Sequence, residues 1–501
     1  MPDYMYLLES RLSPEQRAAL ERVQELARLQ EMNLYLTGGA VRDLISGQPI
    51  RDLDFTVEGN PVRMVRELEK GGARVVSENE KLRHYELIFA GDADGSIAAA
   101  RDDVYDRPGA KPEFRFAGIM EDLRRRDFSI NAIAISLNAQ SRGLLLDPTN
   151  GLADLERQEV RALSIHAFTN QPVRLLRILR YCARMSFNME SRTQEWFDLA
   201  IERGQQEHID PADIGQELRA MSREDNAAPA LKQWESRGLL AVIHPQLQRR
   251  KPDYDALNRL SRVRMNFLDA GIRPRLRDAT TLYILNRLKP REMVSILRHL
   301  DYSQSEIDRI VELPDKAREI VKVLKSRKTE SPRDAYFYLA SLPPEMLAFV
   351  EAEIGDPRAV SKIRNYLQKW RPLRLALPIA ELDALGVPRG PKFDQILEQF
   401  FDKQLRGKGK TPEERTKLLR DLAGIKEETS KKAEKKRKGK NAAAEPGAKP
   451  QGKAAQPVPA DAKNAKAAAA SKPLKQPPAT RKGAESAPAA KSATAKKSRR
   501  K

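Results

Sequence analysis

The stretch LYLTGGAVRDLISGQPIRDLDFTV, residues 34–57, carries the reading of the fold. An apolar strand, 34–37, runs into Gly38-Gly39, and a helix opens with Ala40, Val41, Arg42 and Asp43. A turn region from Ser46 to Ile50 leads to a second strand, 52–57. Side chains alternate along a strand, so Asp52, Asp54 and Thr56 share one face, and Leu53, Phe55 and Val57 share the other. Two carboxylates beside a Gly-Gly turn at a helix start suit a metal-bound polyphosphate. Hard cations such as Mg²⁺ take carboxylate oxygens and keep substrate phosphates as further ligands. Glycines let backbone N–H groups approach phosphate, and a helix N-terminus favours negative charge. Alone, a Gly-Gly pair is an ordinary turn and an Asp-x-Asp a solvated strand face.

Working outward, Ser13-Pro14 starts a predicted helix over 10–32. A helix is expected over 61–70, ended by Gly71-Gly72, with strands at 74–77 and 85–89. Gly91 to Gly95 reads as an acidic turn, and 101–116, polar and interrupted by proline, as a loop. From about Arg161 helical periodicity dominates to 425, and Pro211, Pro229, Pro245, Pro290, Pro332, Pro343 and Pro344 fall where helices should start.

The charge is uneven. Of the net +20, the last 76 residues carry +16, with 22 lysines and arginines against 6 acids; the first 425 carry only +4. Residues 426–501 hold no aromatic side chain and are rich in Lys, Ala and Pro, a composition that reads as disordered and suits equally non-specific contact with RNA phosphates or a solubilising or ribosome-binding tail with no part in the chemistry. The single cysteine, Cys182, excludes an intramolecular disulfide and falls in an apolar helical run. The N-terminal MPDYMYLLES lacks the basic region and apolar core of a secretion signal, and no apolar run reaches the roughly 20 residues of a membrane span, so a cytoplasmic protein with no membrane association is expected. The five histidines, His84, His166, His208, His244 and His299, are scattered. No protein partner can be inferred.

Two further constellations follow. Residues 121–132 read EDLRRRDFSINA, with Asp122, Arg125, Arg126 and Asp127 in a DxxRRD pattern; arginine suits phosphate through its planar fork of donors. Residues 166–187 read HAFTNQPVRLLRILRYCARMSF, where Arg174, Arg177, Arg180 and Arg184 share one helix stripe.

GGAVRD followed by RDLDF, then RRDFSINA, resembles the class II tRNA nucleotidyltransferases (CCA-adding enzymes) and bacterial poly(A) polymerases, within the polymerase β-like nucleotidyltransferases. The resemblance implies an α+β chain: a nucleotidyltransferase head, an elongated all-helical body and the disordered basic tail. The divisions expected are an N-terminal helix at 1–33, the head at 34–150, a nucleotide-selecting neck at 151–250, a helical body at 251–425 and the tail at 426–501. It implies Mg²⁺ on Asp52 and Asp54, the catalytic pair, and a nucleotide site of Gly38, Gly39, Arg42, Asp122, Arg125, Asn131, Gln171, Arg174 and Arg177. In that reading Asp122 and Arg125 meet ribose and phosphate, and Gln171 with Arg174 faces the base. The partners implied are ATP and CTP, with tRNA or another RNA 3′ end. Asp147, Pro148, Gly151 and Asp154 match a segment joining head to neck, and are assigned to turns and packing.

The chain departs from the family pattern twice. The EDxxR motif reads Asn170-Gln171-Pro172-Val173-Arg174, which replaces two acids by amides and leaves nearby arginines without those charge partners. Ser96 stands where relatives often carry an acid, and Asp92, Asp94, Asp102 and Asp103 are nearby substitutes. Arg101, Asp103 and Tyr105 still resemble the family's continuation. Tailing of general RNA 3′ ends, and RNA binding on a degenerate transferase scaffold, stay open as alternatives.

Overall fold

The computed structural model describes residues 3–104, 113–353 and 355–425. Tyr105 and the basic tail lie outside the described residues. The head contains strands β1 (Leu34–Thr37), β2 (Leu53–Val57), β3 (Arg74–Asn79), β4 (His84–Ile88), β5 (Asp94–Ala99), β6 (Arg101–Val104), β7 (Glu113–Phe116), β8 (Ala134–Ser136) and β9 (Leu145–Leu146). Seven of them form one sheet in the order β3-β4-β5-β2-β1-β8-β9. The β2–β5 pair is parallel, and the other neighbours are antiparallel.

Alternation along β2 fixes which side of the sheet is covered. Leu53, Phe55 and Val57 are buried in one core with Leu20 and Val23 of the helix Pro14–Leu29, and with Met64 and Leu68 of the helix Val62–Lys70. Asp54 and Thr56 point to the opposite face. Asp52 lies one residue before the strand proper.

Four expectations are corrected. The helix expected over 10–32 is two helices, Tyr4–Arg11 and Pro14–Leu29. Ser13 breaks them: its hydroxyl accepts from the Gln16 N–H while the Gln16 side chain accepts from the Ser13 N–H, a capping box. Buried Gln16 also donates to the Ile50 carbonyl, which pins the turn before Asp52. The acidic turn is shorter than Gly91–Gly95, because Asp94 and Gly95 already pair in β5. The expected loop 101–116 contains the antiparallel ribbon β6–β7. That ribbon lies outside the main sheet: β6 is almost wholly polar, and the alternation of Glu113-Phe114-Arg115-Phe116 in β7 runs for only four residues. The N-terminal segment 1–33 likewise holds two helices rather than one.

From Gly151 the described chain is helical except for a two-residue parallel pair, Glu159–Val160 with Asn188–Met189. The prolines do start helices: Pro211, Pro290, Pro332 and Pro344 each occupy a first helical position, where a missing N–H costs nothing. Pro314 lies instead inside the helix Gln304–Lys325. Trp234 of the helix Ala228–Ser236 is fully buried and donates its indole N–H to the Leu176 carbonyl at 3.0 Å, locking that helix onto Arg174–Met185. Cys182 is buried there, and burial pushes its thiol up to about 12, so it packs rather than reacts.

Candidate active site

The two glycines come first. Gly38 closes β1 with φ +62°, and a side chain there would run into Arg126 Nη1 at 2.9 Å. Gly39 opens the helix Gly39–Ile45, and a methyl group on it would stand 3.3 Å from Asp54 Oδ2. The turn thus brings backbone N–H groups and Arg126 to the edge of the Asp54 carboxylate. Ser96, opposite Asp54 across the β2–β5 pair, donates its hydroxyl to Asp54 Oδ1 at 2.8 Å. Ser96 therefore orients the carboxylate without adding a third charge.

Asp52 and Asp54 line the same small cavity, of about 80 Å³, with Glu86, Asp94, Ser96, Arg223 and Arg277. Burial, with the charge of Asp52 beside it, raises the Asp54 pKa to about 6, against the opposing Ser96 hydrogen bond and the Arg126 charge. Among the described residues no cluster of three or more His, Cys, Asp or Glu side chains is arranged to hold a metal. The protein offers two mutually repelling carboxylates of hard oxygen, which fits a divalent cation whose remaining ligands come from substrate or water.

Behind this pair sits the EDLRRRDFSINA motif. Asp122 is fully buried and accepts from the Arg101 N–H, from Arg125 and from Arg126. Its burial raises its pKa, but the two arginines outweigh that and hold it below the usual carboxylate range. Asp122 thus reaches a ligand only through those guanidinium groups. Arg125 bonds Asp103 as well as Asp122. Arg126 spans Asp122, the Thr56 hydroxyl and the Asn131 carbonyl, and is the arginine next to Gly38.

The arginine stripe is not a solvated face. Arg177 pairs with Asp127 and Glu217, Arg180 with Glu217 and Glu224, and Arg184 with Glu224 and Asp43. Asp43 pairs with Arg42, which is only 2 % exposed, stacks on Tyr181 and donates to Asn131 Oδ1 at 2.6 Å. Asn131 donates to Asp127 at 3.0 Å, which closes the circuit. The expectation that the Asn170-Gln171 change strips these arginines of partners is corrected: Asp127, Glu217 and Glu224 supply the charge. Gln171 Oε1 accepts from Arg174 Nε at 3.0 Å, and Arg174 also donates to the Arg125 carbonyl.

The structure brings Gly38, Gly39, Asp52 and Asp54 together, and links Arg42, Asn131 and Arg177 in one network, with Asp122–Arg125 and Gln171–Arg174 as adjoining pairs. Sequence reading missed Glu86, Glu217, Glu224, Arg223 and Arg277. Glu86 stands opposite Ser96 across β4–β5, and Arg223 bonds it at 2.9 Å while lying 3.8 Å from Asp52. The alternation of β4 could have marked Glu86; nothing local marks the other four.

Residues 34–161 match the family described as Poly A polymerase head domain. The head resembles that family. Its matched span begins at β1 and takes in both aspartates and the whole RRDFSINA segment. An A-adding tRNA nucleotidyltransferase of Geobacter sulfurreducens is 26% identical over 429 residues, which is 84% of this chain and 48% of that protein. A second, of Aquifex aeolicus, is 29% identical over 386 residues, 74% of this chain and 44% of that protein. A third, of Halalkalibacterium halodurans, is 36% identical over 187 residues, 37% and 44% of the two chains. The chain spans about half the length of the curated relatives it matches. Among the described residues no helix is long and apolar enough to cross a membrane.

Two predictions test this head. Glu217→Ala leaves Arg177 and Arg180 buried without a shared acid, and unfolding in urea should show a loss of about 3–5 kcal/mol. Asp54→Asn should stabilise the metal-free protein. An acid with a raised folded pKa takes up a proton on folding, so stability falls as pH rises from about 4 to about 6. The amide avoids that loss, giving about 3 kcal/mol at pH 7 and almost nothing at pH 3.5, read from thermal midpoints at both pH values.

Proposed function

We propose that the chain is a template-independent nucleotidyltransferase that moves a nucleotide from ATP or CTP to the 3′ end of tRNA, with pyrophosphate released. The observation that carries this is the pairing of Asp52 and Asp54 at the Gly38-Gly39 turn, beneath Arg126. Asp52 and Asp54 would hold Mg²⁺, which when bound supplies positive charge against the reacting phosphates. Gly38 and Gly39 leave room for the triphosphate to lie on backbone N–H groups. Arg126 faces the same turn, and Asp122 holds it and Arg125 in place. Neutralising and positioning the triphosphate is the greater part of the catalysis such a transfer needs.

Base choice falls to the neck. Gln171 and Arg174 would present amide and guanidinium donors to the base edge, with Arg177 fixed behind them by Asp127 and Glu217. An amide carries both donor and acceptor where an acid only accepts. The relatives that cover most of this chain are A-adding enzymes, which favours AMP transfer to a tRNA ending in CC. The division into head 34–150, neck 151–250 and body 251–425 belongs to the same reading. So does a cytoplasmic location, consistent with the single buried, unpaired Cys182.

The test uses purified protein, Mg²⁺, and tRNA lacking CCA, ending in CC or ending in CCA, with CTP and ATP offered separately and together. One AMP added to the CC end is expected. An open-ended A ladder would make the protein a poly(A) polymerase, a reading the head family's name favours. RNA binding without incorporation would make it a binding protein on this scaffold. Asp52→Ala with Asp54→Ala should lower transfer by at least about a thousandfold while circular dichroism is unchanged; retained activity would remove the proposed metal site.

A further inference from the structure

A cleft of about 1220 Å³ opens beside Asp52, walled on one side by the head and on the other by residues 264–277 and 340–371 of the helical region. Arginines and acids alternate around it, and most are already matched. Arg275 pairs with Asp94, Arg51 with Glu224 and Asp225, Arg184 with Asp43, and Arg371 donates to the Ala270 carbonyl.

Arg277 is different. It opens the helix Arg277–Leu285 and lines both the large cleft and the small cavity holding Asp52 and Asp54. It is half-buried, yet among the described residues it has neither a hydrogen bond nor an ion pair. Glu86, Asp94 and Asp52 act on it only at longer range, while burial and the charge of Arg223 both disfavour its cation. Arg223, beside it, keeps a buried Nε without an acceptor. Two crowded guanidinium groups, one unmatched among the described residues, form a place for an anion that those residues do not supply.

Sheet order says which anion. Asp54 sits on β2, between β1 and β5. Gly38 and Gly39, where the triphosphate is read to lie, follow β1. Glu86, Ser96, Arg223 and Arg277 stand over β4 and β5, on the other side of Asp54. In an in-line transfer the attacking hydroxyl and the departing pyrophosphate lie on opposite sides of the reacting phosphorus. The strand bearing the hydroxyl therefore enters over β4 and β5.

We propose that Arg277, with Arg223 beside it, is the subsite for the phosphodiester next to the 3′-terminal nucleotide of the acceptor RNA. This rests on the transferase reading above. It gives the helical region a direct part in the site, across more than 200 residues of sequence from Asp54.

The test is Arg277→Gln in the full chain, with Arg277→Lys as the conservative variant. A labelled single-stranded RNA oligonucleotide is titrated by fluorescence anisotropy with Mg²⁺ and no nucleotide, over a series of salt concentrations. The glutamine variant should bind about tenfold more weakly, with the slope of log affinity against log salt reduced by about 0.7, as for one lost phosphate contact. The lysine variant should recover part of the loss. In steady state the KM for RNA should rise and the KM for ATP stay unchanged. The thermal midpoint should hold or increase, since a repelled charge is removed. Unchanged RNA affinity overturns the proposal. A rise confined to the KM for ATP overturns it too, because the subsite then serves the triphosphate. A fall in thermal midpoint with intact binding makes Arg277 structural and overturns it as well. Because anisotropy needs no turnover, a wild-type chain that transfers nothing defeats the transferase reading without deciding this one.

Discussion

The head and the first helical region are joined by a closed circuit of buried charge. Asp127, Arg177, Glu217, Arg180, Glu224, Arg184, Asp43, Arg42 and Asn131 follow one another in hydrogen-bonded or ion-paired contact and return to Asp127. Taking such groups out of water is costly, and only near-complete matching offsets it. Each of Glu217 and Glu224 therefore bridges two arginines, and each planar guanidinium fixes orientation as well as distance. Burial alone would push the Glu217 carboxyl up, but Arg177 and Arg180 hold it below its usual range. The circuit passes through Asp43 and Arg42 of the very helix that begins at Gly39. Whatever holds the helical region against the head thus also holds the glycine turn against Asp54.

The neighbouring aspartate pair is built in the opposite sense. Asp52 and Asp54 are brought together with too little compensation, so Asp54 is driven toward its protonated form. Ser96 supplies a hydrogen bond where a further acid would have supplied more repulsion, and Glu86 in the next strand is occupied by Arg223. A site left short of positive charge at one point, and an arginine left short of negative charge a few side chains away, are complementary demands. A metal-bound nucleotide and an RNA strand would meet both at once.

Legibility followed the range of the interaction. Alternation in β2 was readable because burial imposes period two on neighbouring residues, and Leu53, Phe55 and Val57 obey it. The prolines marked helix starts because the missing N–H is a local property. The β6–β7 ribbon was not readable, since β6 is almost wholly polar and the alternation in β7 is only four residues long. The break between the helices at Ser13 was half readable: Ser13-Pro14 announced a start, but not that another helix ended at Arg11. The arginine stripe was visible as a stripe, while its character was not. Whether Arg177, Arg180 and Arg184 face water or a ring of acids depends on Glu217 and Glu224, which lie some 40 residues further on.

By itself the sequence determined the strand–Gly-Gly–helix–strand unit, the shared face of Asp52 and Asp54 and the likeness of the head to one family. All of these rest on contacts between residues close in the chain or on a motif read in order. Only the tertiary structure decided that Asp122 sits behind two arginines, that Ser96 steadies Asp54, that Arg177, Arg180 and Arg184 keep acid partners despite the NQPVR sequence, and that Arg277 lines the cavity of the aspartates. Those outcomes depend on which distant side chain arrives to share a buried charge. Electrostatic matching of that kind leaves no periodic trace in the sequence, because it is satisfied once, at one place, by whichever residue the packing of the helices delivers.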